Sequence, residues 1–121
     1  MGTSLPVKEV LQILDAEIIL DRDWLRSEIS TVYGSDLMSD ILSYSKPNSL
    51  LLTGLINPQT IRTAEMVEIA AICFIHSKRP HRETVELART NEIPLISTHL
   101  SMFEACGKLY TAGLMNDDHL P

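Results

Sequence analysis

Three short, uninterrupted apolar runs, Leu50 to Thr53, Ala70 to Ile75 and Pro94 to Ser97, punctuate the second half of this chain, with segments of helical character between them. Apolar residues that continue without alternation belong to strands covered on both faces, and helices between successive strands make βαβ crossovers of one hand. This spacing predicts an α/β domain with a mainly parallel sheet of about five strands and helices on both faces. The intervening helices are marked at their starts: Asn57-Pro58 offers an N-cap and a first-turn proline, Pro80 opens the next, and Ser101-Met-Phe-Glu104 spells a capping box. Gly113 suits the position after a last helical turn, with Leu114 placed to fold back onto it.

The first half is less regular. Pro6 can open a helix on which Val7, Val10, Leu11 and Leu14 fall at i, i+3, i+4 and i+7, and Asp15 closes it. Glu17 to Leu20 reads as a strand, the charged stretch Asp21 to Arg26 as a surface loop, and Ile29 to Tyr33 as a second extended piece ended by Gly34. Asp36 then suits an N-cap for a helix bearing Leu37, Met38, Ile41 and Leu42, which Lys46-Pro47-Asn48 terminates.

With 121 residues, 45% of them hydrophobic, the chain has room for one domain and can bury a core without staples. The expected layout is a domain over residues 1–115 followed by a flexible tail, 116–121. A net charge of −6 disfavours a broad phosphate-gripping face, so no nucleic-acid partner is expected. Cys73 and Cys106 lie far apart inside apolar segments, a pattern of buried thiols in a reducing compartment and of neither zinc nor a redox pair. The longest apolar run, Ile69 to Ile75, is far below the roughly 20 residues of a membrane span. Lys8 and Glu9 interrupt the start before a secretory core develops, and a cytoplasmic location is expected, with no membrane partner.

In an open parallel sheet, ligands bind beyond the carboxyl ends of the strands. The residues there are Thr53, Gly54 and Asn57 after the first run, His76, Lys78, Arg79, His81 and Arg82 after the second, and Thr98, His99 and Ser101 after the third. The Thr53 loop combines a hydroxyl, a small residue and the free N–H groups of a helix start, which suit a phosphate or carboxylate. Ordinary helix capping accounts for the same residues. Lys78, Arg79, His81 and Arg82 concentrate positive charge on that edge, and Arg62 can add a bidentate contact or else pair with Glu65 or Glu68 on its own helix. Asp36 and Asp40 stand one turn apart, but a cap and a favourable first-turn charge explain them without a metal. His76 and His99 lack a third ligand of suitable spacing. No phosphate-cradling P-loop, dinucleotide glycine fingerprint, nucleophile elbow or zinc-binding helix occurs, so no catalytic residue, cofactor or metal is assigned.

The segments Val7 to Ala16, Ser35 to Leu42, Thr53-Gly-Leu-Ile-Asn-Pro within Leu51 to Gln59, Arg62 to Met66 and Ser101 to Gly107 resemble the DRTGG domain family over almost the whole chain. The string Asp-Arg-Thr-Gly-Gly that gives the family its name is absent, and Thr53-Gly54-Leu55 echoes only part of its end. Similar domains are joined to phosphate acetyltransferases and to pyrophosphatases carrying CBS modules, and a related fold resembles the N-terminal domain of HPr kinase/phosphorylase. The resemblance implies a regulatory α/β module that pairs with a copy of itself as a homodimer. The expected function is therefore non-catalytic sensing of a small anionic metabolite, such as an adenine nucleotide, with action on a partner protein in trans. The alternative is a structural or assembly subunit of a larger metabolic enzyme complex that binds no metabolite. A phosphotransfer-related enzyme ranks last, because fold analogy does not carry a site across.

Overall fold

The four-residue runs Leu50–Thr53 (β5) and Ala71–Phe74 (β6) have every residue buried, as continuous apolar strands should. In the computed structural model, which describes residues 4–21 and 23–115, they form the centre of a five-stranded sheet. The order is β2 (Glu17–Leu20), β7 (Leu95–Ser97), β6, β5 and β4 (Val32–Gly34). The last four run parallel, and β2 pairs antiparallel with β7 at one edge.

Because β4 to β7 succeed one another in both sequence and space, a constant crossover hand sends their connecting helices to the same face. These are α2 (Met38–Tyr44), α3 (Pro58–Met66) and α4 (Arg82–Thr90), and their Ile41, Ile61, Ala64 and Ala88 meet Leu51, Ile72, Phe74 and Leu95 of the sheet. Helices α1 (Val7–Leu14) and α5 (Met102–Thr111) cover the other face, where Val7, Val10, Leu14, Ala105 and Leu109 meet Leu50, Leu52, Cys73 and Ile96. Successive residues of each strand thus serve opposite cores. The expected α/β architecture with helices on both faces is the one observed.

Several local readings change. Ile29 to Tyr33 is not one strand: Glu28–Ile29 (β3) pairs antiparallel with Leu5–Pro6 (β1) in a small separate sheet, while β4 joins the main one. α4 starts at Arg82 rather than Pro80, with His81 in the N-cap position. α2 starts at Met38, so Asp36 lies outside its cap and Leu37 occupies that position. By contrast, Asp15 ends α1 in the left-handed region, and Gly113 adopts φ 108° so that Leu114 N–H bonds back to the Leu109 carbonyl. The Ser101–Glu104 capping box is complete, and the Ser101 N–H and hydroxyl hold the Glu104 carboxyl below its ordinary value of 4.5. The tail expected at 116–121 lies outside the described residues.

Burial pushes the Cys73 thiol up to about 12, whereas Cys106 is only partly buried. Since thiolate is the reactive form, Cys106 should label first and Cys73 only on unfolding. A timed thiol titration with and without denaturant checks this, and equal native rates for both thiols would contradict the packing described.

Candidate functional site

Parallel neighbours end on the same side, so the exits of β5, β6 and β7 share one rim of the sheet. Backbone bonds knit them together: Ile75 N–H donates to Thr53 O at 3.1 Å, Ser77 N–H to Thr98 O at 2.8 Å and His76 N–H to Leu100 O at 2.9 Å. His76 and Ser77 both adopt the left-handed region, φ 56° and 55°, which is unfavourable for non-glycine residues. That double turn drops Lys78 back towards β5.

The centre of the rim is a cluster not foreseen as such. Asp36, two residues past the end of β4, turns its carboxylate to the β5 exit, where Oδ1 accepts from the Gly54 N–H at 2.6 Å and from the Thr53 hydroxyl at 3.1 Å. The Thr53 hydroxyl in turn accepts from Leu55 N–H at 3.1 Å. Lys78 Nζ donates to the Gly54 carbonyl at 3.4 Å. A Cβ on Gly54 would stand 3.2 Å from Lys78 Nζ and 3.4 Å from Asp36 Oδ1, so this glycine is the narrow floor between an ammonium and a carboxylate. The amide of the Thr53 loop therefore already holds an anion, and that anion belongs to the chain itself.

Beside the rim, the Ile56 carbonyl accepts from the His81 N–H at 3.2 Å and from the Thr84 hydroxyl at 2.7 Å, tying the start of α4 to the β5 exit. Between α3 and α4 opens a groove of about 490 Å³ lined by Pro58, Arg62, Arg82, Glu83, Glu86 and Thr90, among others. Arg62 and Arg82, far apart in sequence, thus face one hollow. Along its own helix Arg62 reaches Gln59 at 3.4 Å and not Glu65 or Glu68.

Other predicted residues go elsewhere. Arg79 pairs at 2.7 Å with Glu17 of the edge strand β2, both side chains exposed. Thr98 is buried, and its hydroxyl donates to the Leu14 carbonyl while accepting from Leu100 N–H. The Ser101 hydroxyl is engaged with Glu104 in the capping box. Asn57 occupies the α3 N-cap position without a side-chain cap bond, with Pro58 opening the helix. His99 Nδ1 lies 3.7 Å from Asp15 Oδ2 on the surface. Among the described residues no group of three or more His, Cys, Asp or Glu side chains is placed to hold a metal ion. No described helix is long and apolar enough to cross a membrane.

No protein-family model and no curated protein matches the chain. Among solved structures, it is similar to the CBS and DRTGG domains of the regulatory region of Clostridium perfringens pyrophosphatase, crystallised with the activator diadenosine tetraphosphate. The TM-score is 0.72 at 15% identity, over 95% of this chain and 52% of that one, so the chain spans about half the length of its structural neighbour. At that identity the likeness speaks for the fold, and it agrees with the strand order and helix layers described above. In fold, this chain is a DRTGG-like α/β domain.

Proposed function

We propose that the chain is a non-catalytic regulatory module that senses a small anionic metabolite of the adenine-nucleotide class, self-associates, and passes the occupancy to a partner protein in trans. The observation that carries this reading is the gathering of Lys78, Arg62 and Arg82 at one rim and its adjoining groove, in a chain whose net charge is −6. Phosphates are recognised by such cations, and arginine matches them bidentately. The structural neighbour's activator, diadenosine tetraphosphate, is a ligand of this chemistry.

Asp36 supplies the means of response. A phosphate arriving at Lys78 contends with the Asp36 carboxylate for the Gly54 amide, and Asp36 stands two residues before α2. Occupancy thereby biases the entry to that helix, and a signal arises if the two positions of Asp36 bind ligand with different affinity.

The test is thermal unfolding with ATP, ADP and diadenosine tetraphosphate. Ligand at a hundredfold over its dissociation constant stabilises by about 2.7 kcal/mol, a rise of roughly 10 °C for a chain of this size. Arg62→Ala with Arg82→Ala should remove most of that rise. Flat curves with every nucleotide would end the sensing reading. They would leave the assembly reading, which the exposed aromatic side chains of α5 favour.

A further inference from the structure

Phe103 is 86% exposed and Tyr110 72% exposed, two turns apart on α5, while Gly107 between them faces open space. Leaving two large rings in water on one helix face is costly unless something covers them. Hollows flank this stripe on both sides. One, of about 580 Å³, lies between α5 and β4 and has Val32, Gly34, Leu114 and Met115 among its walls; the other, of about 620 Å³, lies towards Gln12 and Ile13 of α1. Phe103 and Gly107 line both, so the stripe has a raised ring, a low point at the glycine and a recess on either side.

We infer that a second copy of this chain covers the face, with the two α5 helices crossing antiparallel at Gly107. The inference takes the self-association proposed above as given and assigns its surface. Charge selects both the occupant and the direction. Glu104 and Lys108 flank the stripe on the α1 side, and their midpoint, at Cys106, falls within half a residue of the midpoint of Phe103 and Tyr110. A two-fold axis there sets Glu104 against the partner's Lys108 and Phe103 against the partner's Tyr110, each pairing occurring twice. Parallel helices would instead oppose like charges. The capping box engages Glu104 through Oε1, leaving Oε2 for the partner. Gly107 at the crossing lets the helices approach closely. Four aromatic rings cover roughly 600–1,000 Å² between them at about 150–250 Å² each. With the walls of the hollows added, this reaches the lower range of stable interfaces, about 1,200 Å².

Sedimentation velocity of the full chain over a wide concentration range tests this. The wild type should show a concentration-dependent dimer. Phe103→Glu should be monomeric throughout and should melt with the wild type at concentrations where the wild type is itself monomeric, because the ring is exposed in the protomer. Lys108→Glu should weaken the dimer about tenfold or more by facing two pairs of like charges, and adding Glu104→Gln, which keeps the acceptor for the capping box but removes the repulsion, should restore part of the loss. A dimer indifferent to Phe103→Glu, or a Lys108→Glu, Glu104→Gln double variant no better than Lys108→Glu alone, would overturn this surface while leaving self-association standing. A wild type monomeric at every concentration would overturn self-association itself, and the nucleotide thermal shift reports on sensing independently of either result.

Discussion

Thr98→Val should lower the stability of the protein by about 2–4 kcal/mol and its melting temperature by roughly 10 °C, although the change is nearly isosteric. The hydroxyl is buried and joins two distant parts of the chain: it donates to the Leu14 carbonyl at the end of α1 and accepts from the Leu100 N–H beyond β7. Valine fills the space but leaves that carbonyl and N–H without partners in a dry site, where each unsatisfied group costs about 1–3 kcal/mol. Chemical denaturation of the two proteins measures the difference. A loss below about 1 kcal/mol would mean that water or another group replaces the hydroxyl. The nucleotide response of the folded variant should be unchanged, since this side chain faces the α1 layer and not the rim.

Asp36→Asn should tighten binding of nucleotide phosphates about tenfold, the equivalent of about 1.4 kcal/mol, at a modest cost in stability. Asparagine keeps an acceptor for the Gly54 N–H and the Thr53 hydroxyl, so the β5 exit retains its shape. What disappears is the negative charge that contends with an incoming phosphate beside Lys78. Asp36→Ala separates the two effects, because it removes the acceptor as well and leaves the buried Gly54 amide unpaired, with an expected loss of about 1–3 kcal/mol. Calorimetric titration with ATP checks the affinity. Equal affinity in wild type and Asp36→Asn would show that Asp36 and the phosphate do not meet, and the proposed coupling to α2 would fail with it.

How far each feature can be read before folding follows from the range of the interactions that make it. The Ser101–Glu104 capping box, the left-handed Asp15 and the Gly113–Leu114 reversal are local arrangements of a few consecutive residues, and they were legible as such. The continuous apolar runs of β5, β6 and β7 announced a covered parallel sheet because both faces of each strand had to be buried. The split of residues 28–34 into β3 and β4 was not legible, since each piece is only a few residues long and its partner, β1 or β5, is chosen across the fold.

The site shows the same division. Thr53, Gly54 and Lys78 could be placed at one rim from strand order alone, because a parallel strand has one carboxyl end. Sequence alone points to Asp36 as a helix cap, since aspartate before a helix commonly has that role. The signal that would have corrected it was its position two residues past Gly34, at the carboxyl end of β4, which becomes visible only when residues 32–34 are recognised as a parallel strand. Arg79 looked equivalent to Lys78 in sequence, yet the antiparallel edge strand brings Glu17 to it at 2.7 Å.

By itself, then, the order of residues determined the α/β class, the Ser101–Glu104 capping box, the helix ends at Asp15 and Gly113 and the rim on which charged side chains could gather, because burial on both strand faces and hydrogen bonding within a turn depend on near neighbours. Only the tertiary structure decided that Asp36 fills the Gly54 amide, that Thr98 bonds to a carbonyl 84 residues away, and that Phe103 and Tyr110 are left facing solvent. Those outcomes depend on which surfaces meet in three dimensions, and hydrophobicity along the chain does not encode a contact between elements that the fold alone makes adjacent.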